Sequence, residues 1–197
     1  MIKFWWIRHA PVIGNHNCCY GSNEVDCDVI YRKDFIKLAG YLPVKGKVFI
    51  SPLSRAVKTY EAVLEEGFKI KKNIKDDRLI EQNLGDWTGM KYSKLEELTK
   101  ELGIFNYNWL MDASYTPPKG ESFLNLTIRV RSFLKKIIKN YSNENIIIFS
   151  HGGPIRAALS IALKYNIKEV VPIDIDNSSL TKINYNNGLW RVEMINI

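Results

Sequence analysis

The chain has 197 residues, 46% of them hydrophobic and 25% charged, a composition ordinary for one domain with a substantial core. Its net charge of +7 admits an anionic partner, but the lysines are scattered, form no basic tail and accompany no recognisable binding motif, so a nucleic-acid partner is not expected. No apolar stretch approaches a membrane span and no signal peptide is evident; three cysteines (Cys18, Cys19, Cys27), an odd number clustered in one loop, argue against a disulfide scaffold, and a reducing, cytoplasmic setting is the expectation.

The run Phe4-Trp5-Trp6-Ile7 predicts a buried strand over 2–8, broken abruptly by Arg8-His9 and the turn at Ala10-Pro11. Residues 9–27 read as a polar loop long enough to have a function. Asp28 is placed to cap a helix running to about Leu42, with Tyr31, Phe35, Leu38, Ala39 and Leu42 at helical spacing. "KVFIS" (47–51) is the second strand, and "SPLSRAVKTYEAVLEEGF" turns directly into a second helix ending near Gly67. "FKIKKNI" is a shorter strand candidate whose lysines supply a solvated face.

"DDRLIEQNLGDWTGM" has no stable periodicity and reads as loop; a helix over about 93–102 follows, then the aromatic irregular segment 105–122. A further helix spans about 122–141. "NIIIFS" (145–150) has the continuous apolar character of a central parallel strand, and "HGGPIRAALSIAL" follows as glycine turn and helix, Pro154 suiting the first helical position. "SLTKINY" and "LWRVEMINI", separated by "NNG", predict a hairpin. The whole predicts a single domain over 1–197: an α/β, three-layer α/β/α sandwich with a mostly parallel central sheet and a C-terminal antiparallel hairpin.

"WIRHA", "ISPLSRA" and "FSHGGPIRA" each put polar residues at the end of an apolar strand, and in a parallel sheet such ends share one edge. Arg8, His9, Arg55 and His151 are thereby able to converge. Cations so gathered repel unless an anion neutralises them, and a phosphate dianion suits the planar paired donors of arginine. Gly152 and Gly153 let a backbone approach that anion at a helix N-terminus, although an ordinary strand-to-helix turn uses glycine too. Glu81, in the glycine-bearing loop, is placed to protonate a leaving alkoxide and then take a proton from water, help worth ~10²–10⁴ in rate. His16 reads as a structural loop histidine. A metal site from His9, His16 and the cysteines lacks ligand spacing and is not expected.

These stretches together resemble the histidine phosphatase superfamily, also called phosphoglycerate mutase-like or RHG phosphatases. Arg8-His9-Ala10 stands where that family has Arg-His-Gly, "SPLSRAVKTYEAV" is similar to its second motif, and "RLIEQNLGDWTG" to its acid-bearing loop of the form L-x-E-x-x-x-G-x-W-x-G. "GESFLNLTIRVRSFL" and "SHGGPIRAAL" match its last two blocks, so the likeness covers nearly the whole chain. It implies His9 as a nucleophile forming phosphohistidine, and Glu81 as acid then base. Arg8, Arg55 and His151 would hold phosphoryl oxygens, with Asn15 and Gly152 also at the phosphate. It further implies a backbone carbonyl fixing the tautomer of His9, and no metal or organic cofactor, since the cationic pocket does the electrostatic work.

The implied activity is a metal-independent phosphomonoesterase acting on a small phosphorylated metabolite. The short span between Glu81 and His151 favours it over a cofactor-dependent phosphoglycerate mutase; a non-catalytic phospholigand-binding module is the other alternative. Among small members the chain is most similar to α-ribazole phosphatase-like ones, with no substrate identified. Specificity is expected in the loop after His9 and in segment 105–122, where Tyr107, Trp109 and Tyr115 either stack on a ligand or pack a lid. Ala10 and Pro11-Val12 depart from the family pattern and predict a narrowed or reshaped pocket mouth with the chemistry intact. The oligomeric state is left open, a homodimer included.

Overall fold

The computed structural model describes the whole chain except Asn15, His16, Asn108 and Trp109. Six strands form one sheet: β1 (Ile2–Arg8), β2 (Lys47–Ile50), β3 (Asn73–Lys75), β4 (Asn145–Ser150), β5 (Leu180–Asn186) and β6 (Leu189–Met194), in the order β3-β2-β4-β1-β5-β6. β1 to β4 pair in parallel, and β5 and β6 add an antiparallel hairpin beside β1. Its turn, Asn187-Gly188, has positive φ at both residues (47° and 86°), the conformation the "NNG" signal predicts.

Alternation along β1 divides the core. Phe4 and Trp6 face the cluster built with α4 (Phe123–Asn140) and α5 (Gly152–Leu163). Trp5 and Ile7 face the cluster built with α1 (Arg32–Tyr41) and α2 (Ser54–Glu65). The three layers follow from this two-sided burial, and a third cluster of Cys19, Leu84, Trp87, Leu95 and Met111 packs α3 (Tyr92–Glu101) onto the acid-bearing loop. A short α6 (Ile167–Val170) completes the helices among the described residues, none of which is long and apolar enough to cross a membrane.

Four local expectations are corrected. Helix α1 starts at Arg32, not after Asp28: Asp28 Oδ1 instead accepts from Ile30 N in a turn, and Tyr31, expected on the buried face, is exposed. The third strand shrinks to Asn73–Lys75, all three residues exposed at the sheet edge. Pro154 is third in α5 rather than first. The loop 76–90 contains two 3-10 turns, Asp77–Leu79 and Gly85–Trp87.

Candidate active site

The parallel register aligns Arg8 with Ser150 and Ile50 with Phe149. The residues that follow β1, β2 and β4 in the chain, His9, Ser51 and His151, therefore meet at one edge of the sheet. The convergence expected from sequence is present: the rings of His9 and His151 lie 5.1 Å apart, and Arg55, wholly buried at the start of α2, donates from Nε to His151 Nδ1 at 3.2 Å.

His9 is 1% exposed, and its Nδ1 lies 2.7 Å from the Ala10 carbonyl oxygen. A carbonyl only accepts, so Nδ1 carries the proton and Nε2 keeps a bare lone pair, buried and without a partner. Burial, then Arg55, then Arg8, hold the ring far below the ordinary imidazole range, so it is neutral. The segment is pinned from outside the motif. Thr59 Oγ1 accepts from Ala10 N at 2.8 Å and donates to Arg55 O at 2.7 Å, and Asn177 Nδ2 donates to His9 O at 2.9 Å.

Arg55 places its remaining bonds on the long loop, from Nη1 to Asn23 O and from Nη2 to Gly21 O, both at 2.8 Å, and its guanidinium lies 5.1 Å from the Tyr20 ring. Because Arg55 always donates, His151 Nδ1 accepts, and its Nε2–H donates to Ser51 Oγ at 2.7 Å. Burial, Arg55 and His9 push the His151 pKa far down as well. Arg8 donates from Nη1 to Ile175 O and leaves Nε buried without a partner.

Glu81 takes the place expected for an external anion at the α5 N-terminus. Gly153 N donates to its two carboxylate oxygens at 3.1 and 3.2 Å, and Gln82 N donates to Oε1 at 2.9 Å. A Cβ on Gly153 would fall 2.1 Å from Glu81 Oε1, so the glycine makes room for the acid. Arg129 holds the loop from beneath through Glu81 O and Arg78 O while paired with Glu121.

A cavity of about 440 Å³ opens here, its wall including Arg8, Tyr20, Glu81, Gln82, Tyr92, Phe105, Tyr107, Gly152 and Arg156; His9, Arg55 and His151 are buried behind it. Arg156, which no motif singled out, comes close to Arg8 across Gly152: a Cβ there would lie 2.9 Å from Arg156 Nη1 and 3.7 Å from Arg8 Nε. Tyr107 is 93% exposed on the rim, whereas Tyr115 stacks on Trp87 at 5.4 Å and packs the third cluster. Asn15 and Trp109 lie outside the described residues.

The narrowed mouth is corrected. The Ala10 side chain is buried in the cluster beneath α1 and α2, Pro11 is exposed, and neither lines the cavity. No disulfide joins the cysteines; Cys27 Sγ donates to Arg55 O, and burial pushes the Cys19 thiol up to about 12. Among the described residues no three His, Cys, Asp or Glu side chains are grouped as a metal site requires.

Thr59, Asn177, Ser51, Gln82, Arg129 and Arg156 are the positions that sequence reasoning missed. Two of them had a signal: Ser51 is the polar residue that follows β2, and Thr59 stands one helical turn after Arg55, on the same face of α2.

The fold and site define a layered α/β protein with a neutral, bare imidazole set among arginines at the carboxyl edge of its parallel strands. The model of the histidine phosphatase superfamily (branch 1) matches residues 4–197, and the chain belongs to that family. It is 34% identical over 162 residues to the bifunctional protein Rv2228c of Mycobacterium tuberculosis (strain ATCC 25618 / H37Rv), a match taking in 80% of this chain but only 43% of that relative's length. It is 28% identical to phosphoserine phosphatase 1 of Hydrogenobacter thermophilus, over 93% of this chain and 86% of that one. The solved structure of mycobacterial hydrolase 1 superposes with a TM-score of 0.82 at 21% identity, covering 99% of this chain and 98% of the other, which shows a shared fold.

Proposed function

We propose that the chain is a metal-independent phosphomonoesterase acting through a phosphohistidine at His9. The observation that carries this is the bare Nε2 of a neutral His9 beside the unpartnered Nε of Arg8. Family membership and the relative named as a phosphoserine phosphatase support the reaction class.

In the first step the Nε2 lone pair attacks phosphorus, the P–O ester bond breaks, and the leaving oxygen takes a proton from the Glu81 carboxyl group. In the second, water gives a proton to the Glu81 carboxylate and attacks phosphorus; the P–N bond breaks, releasing inorganic phosphate and neutral His9. Arg8 meets the phosphoryl oxygens directly. Arg55 supplies fixed charge, with one further N–H on each of Nη1 and Nη2 beyond those it gives to the loop. His151 shares its Nε2–H between Ser51 and a phosphoryl oxygen, Gly152 keeps that edge open, and Asn15 is a further phosphate ligand carried over from the family resemblance alone. The substrate is a small phosphorylated molecule that fits about 440 Å³.

The test is a screen of phosphomonoesters, p-nitrophenyl phosphate among them, with wild type and His9→Ala side by side, reading inorganic phosphate and the acid-labile phosphate label on protein. The expected result is activity and label lost together in the variant. Equal turnover in both proteins would overturn the assignment. Conversion between phosphoglycerates without phosphate release would replace the hydrolase with a mutase.

A further inference from the structure

The cavity wall contains one more buried group with the same signature as Arg8 Nε. Gln82 is 3% exposed and lines the cavity, and its Oε1 is buried without a hydrogen-bond partner. Buried amide oxygens are nearly always paired, so such an atom on the wall of a substrate cavity needs an explanation. The other end of the amide is committed: Nε2 donates to Glu121 O at 3.0 Å. Glu121 is itself fixed, its carboxylate accepting from Arg129 Nη2 at 2.7 Å and Nε at 3.1 Å. Turning the amide end over end would set its oxygen against the Glu121 carbonyl oxygen, so the acceptor stays where it is. The Gln82 backbone is equally fixed, because its N–H donates to Glu81 Oε1. Gln82 and Glu81 line the same cavity and are tied through the Gln82 N–H, so the amide stands on the acid's side of it, the side on which a leaving group would lie. The remaining buried unpartnered atoms outside the histidine, on Trp6, Ser178, Thr181 and Asn184, do not line this cavity.

We propose that Gln82 is a specificity residue. Its Oε1 accepts a hydrogen bond from a donor on the alcohol half of the substrate, so the preferred class is phosphomonoesters of short alcohols that carry a hydroxyl or amino donor. The inference rests on the phosphomonoesterase reading and deepens it. A site holding a fixed acceptor rejects an isosteric ester that lacks the donor, because the acceptor is then left buried and unpaired.

Three esters of equal heavy-atom count test it: n-propyl phosphate, 2-hydroxyethyl phosphate and 2-aminoethyl phosphate. Wild type is expected to favour at least one donor-bearing ester over n-propyl phosphate by about tenfold or more in kcat/KM, the size of a lost hydrogen bond to a buried group. Gln82→Met keeps length and removes the acceptor, and brings that ratio to within about threefold. The ratio is taken within one preparation, so any loss of folded protein cancels. Which of the two donor esters leads tells hydroxyl from ammonium. A wild type indifferent to the donor, or a Gln82→Met variant that keeps the preference, overturns the inference while His9→Ala still abolishes turnover. Turnover surviving in His9→Ala overturns the underlying reading instead.

Discussion

Gly153→Ala separates the chemistry from the fold. The added methyl carbon would sit 2.1 Å from Glu81 Oε1 and 3.2 Å from Glu81 Cδ. Carbon and oxygen at ordinary contact need roughly 3.5 Å, so the carboxyl group must retreat by more than about 1 Å. It is the far end of a flexible side chain, so the movement itself is cheap, but it takes the acceptor from the buried Gly153 N–H, a loss of about 1–3 kcal/mol. Leu126 Cδ1, at 3.0 Å, has to give by a few tenths of an ångström, and alanine gains up to about 1 kcal/mol over glycine in a helix. The net change in stability should be a loss of no more than about 3 kcal/mol. Catalysis is less tolerant: a misplacement of ~1 Å costs about 10²-fold, inside the ~10²–10⁴ that a general acid supplies. The loss should depend on the leaving group. Nitrophenolate departs without full protonation, so kcat/KM, which reports only the step that expels the leaving group, should fall several-fold less for p-nitrophenyl phosphate than for n-propyl phosphate. Urea melts beside the two kcat/KM values decide the matter. Equal losses on both esters, or a wild-type rate on the alkyl ester, would refute Glu81 as the acid held by this helix end.

Two further expectations concern stability. Burial and the neighbouring arginines depress the pKa values of His9 and His151, so below about pH 6.5 the unfolded chain binds protons that the folded chain refuses. Their contribution is complete above that pH and is lost as pH falls, by up to ~1.4 kcal/mol per pH unit for each histidine; urea midpoints that stay level from pH 7 to 5.5 would contradict it. Thr59→Val preserves shape but leaves the Ala10 N–H buried without its acceptor, an expected cost of about 1–3 kcal/mol, and a variant with the wild-type unfolding midpoint would show that this bond does not hold the segment.

What was legible in the sequence was what repeats along the chain. Strands buried on both faces read as continuous apolar runs, so β1, β2 and β4 and their shared edge were visible, and with them Arg8, His9, Arg55 and His151. The start of α1 was not, because Asp28 has capping chemistry that a local turn uses equally well. β3 was overestimated because its lysines mark solvent, and solvent marks a loop as readily as a strand face. Supporting residues were the least visible. Asn177 reaches His9 O across 168 positions, a single hydrogen bond to a carbonyl that leaves no periodicity to detect. The effect of Ala10 was misjudged for a related reason: sequence names the extra methyl group but not the side of the backbone on which it lies, and here it lies in the core.

The division of labour between the arginines follows from where their donors end. Arg55 gives Nε, Nη1 and Nη2 each a protein acceptor, two of them backbone carbonyls of the loop after His9, so its charge is locked in place before any ligand arrives. His151 Nδ1 accepts from Arg55 Nε and so has no room for a second proton, and burial together with the Arg55 field keeps both imidazoles neutral, the state in which Nε2 of His9 has a free lone pair. Arg8 is held by Nη1 alone among the described contacts and keeps Nε toward the site. On the proposed reaction, a phosphoryl group entering the edge would therefore meet one arginine that binds it and one that acts as a fixed field. Neither has to reorganise as charge develops, the condition under which such groups lower a barrier most. The same lock ties the loop after His9 to the site: its carbonyls at Gly21 and Asn23 are the acceptors that aim Arg55.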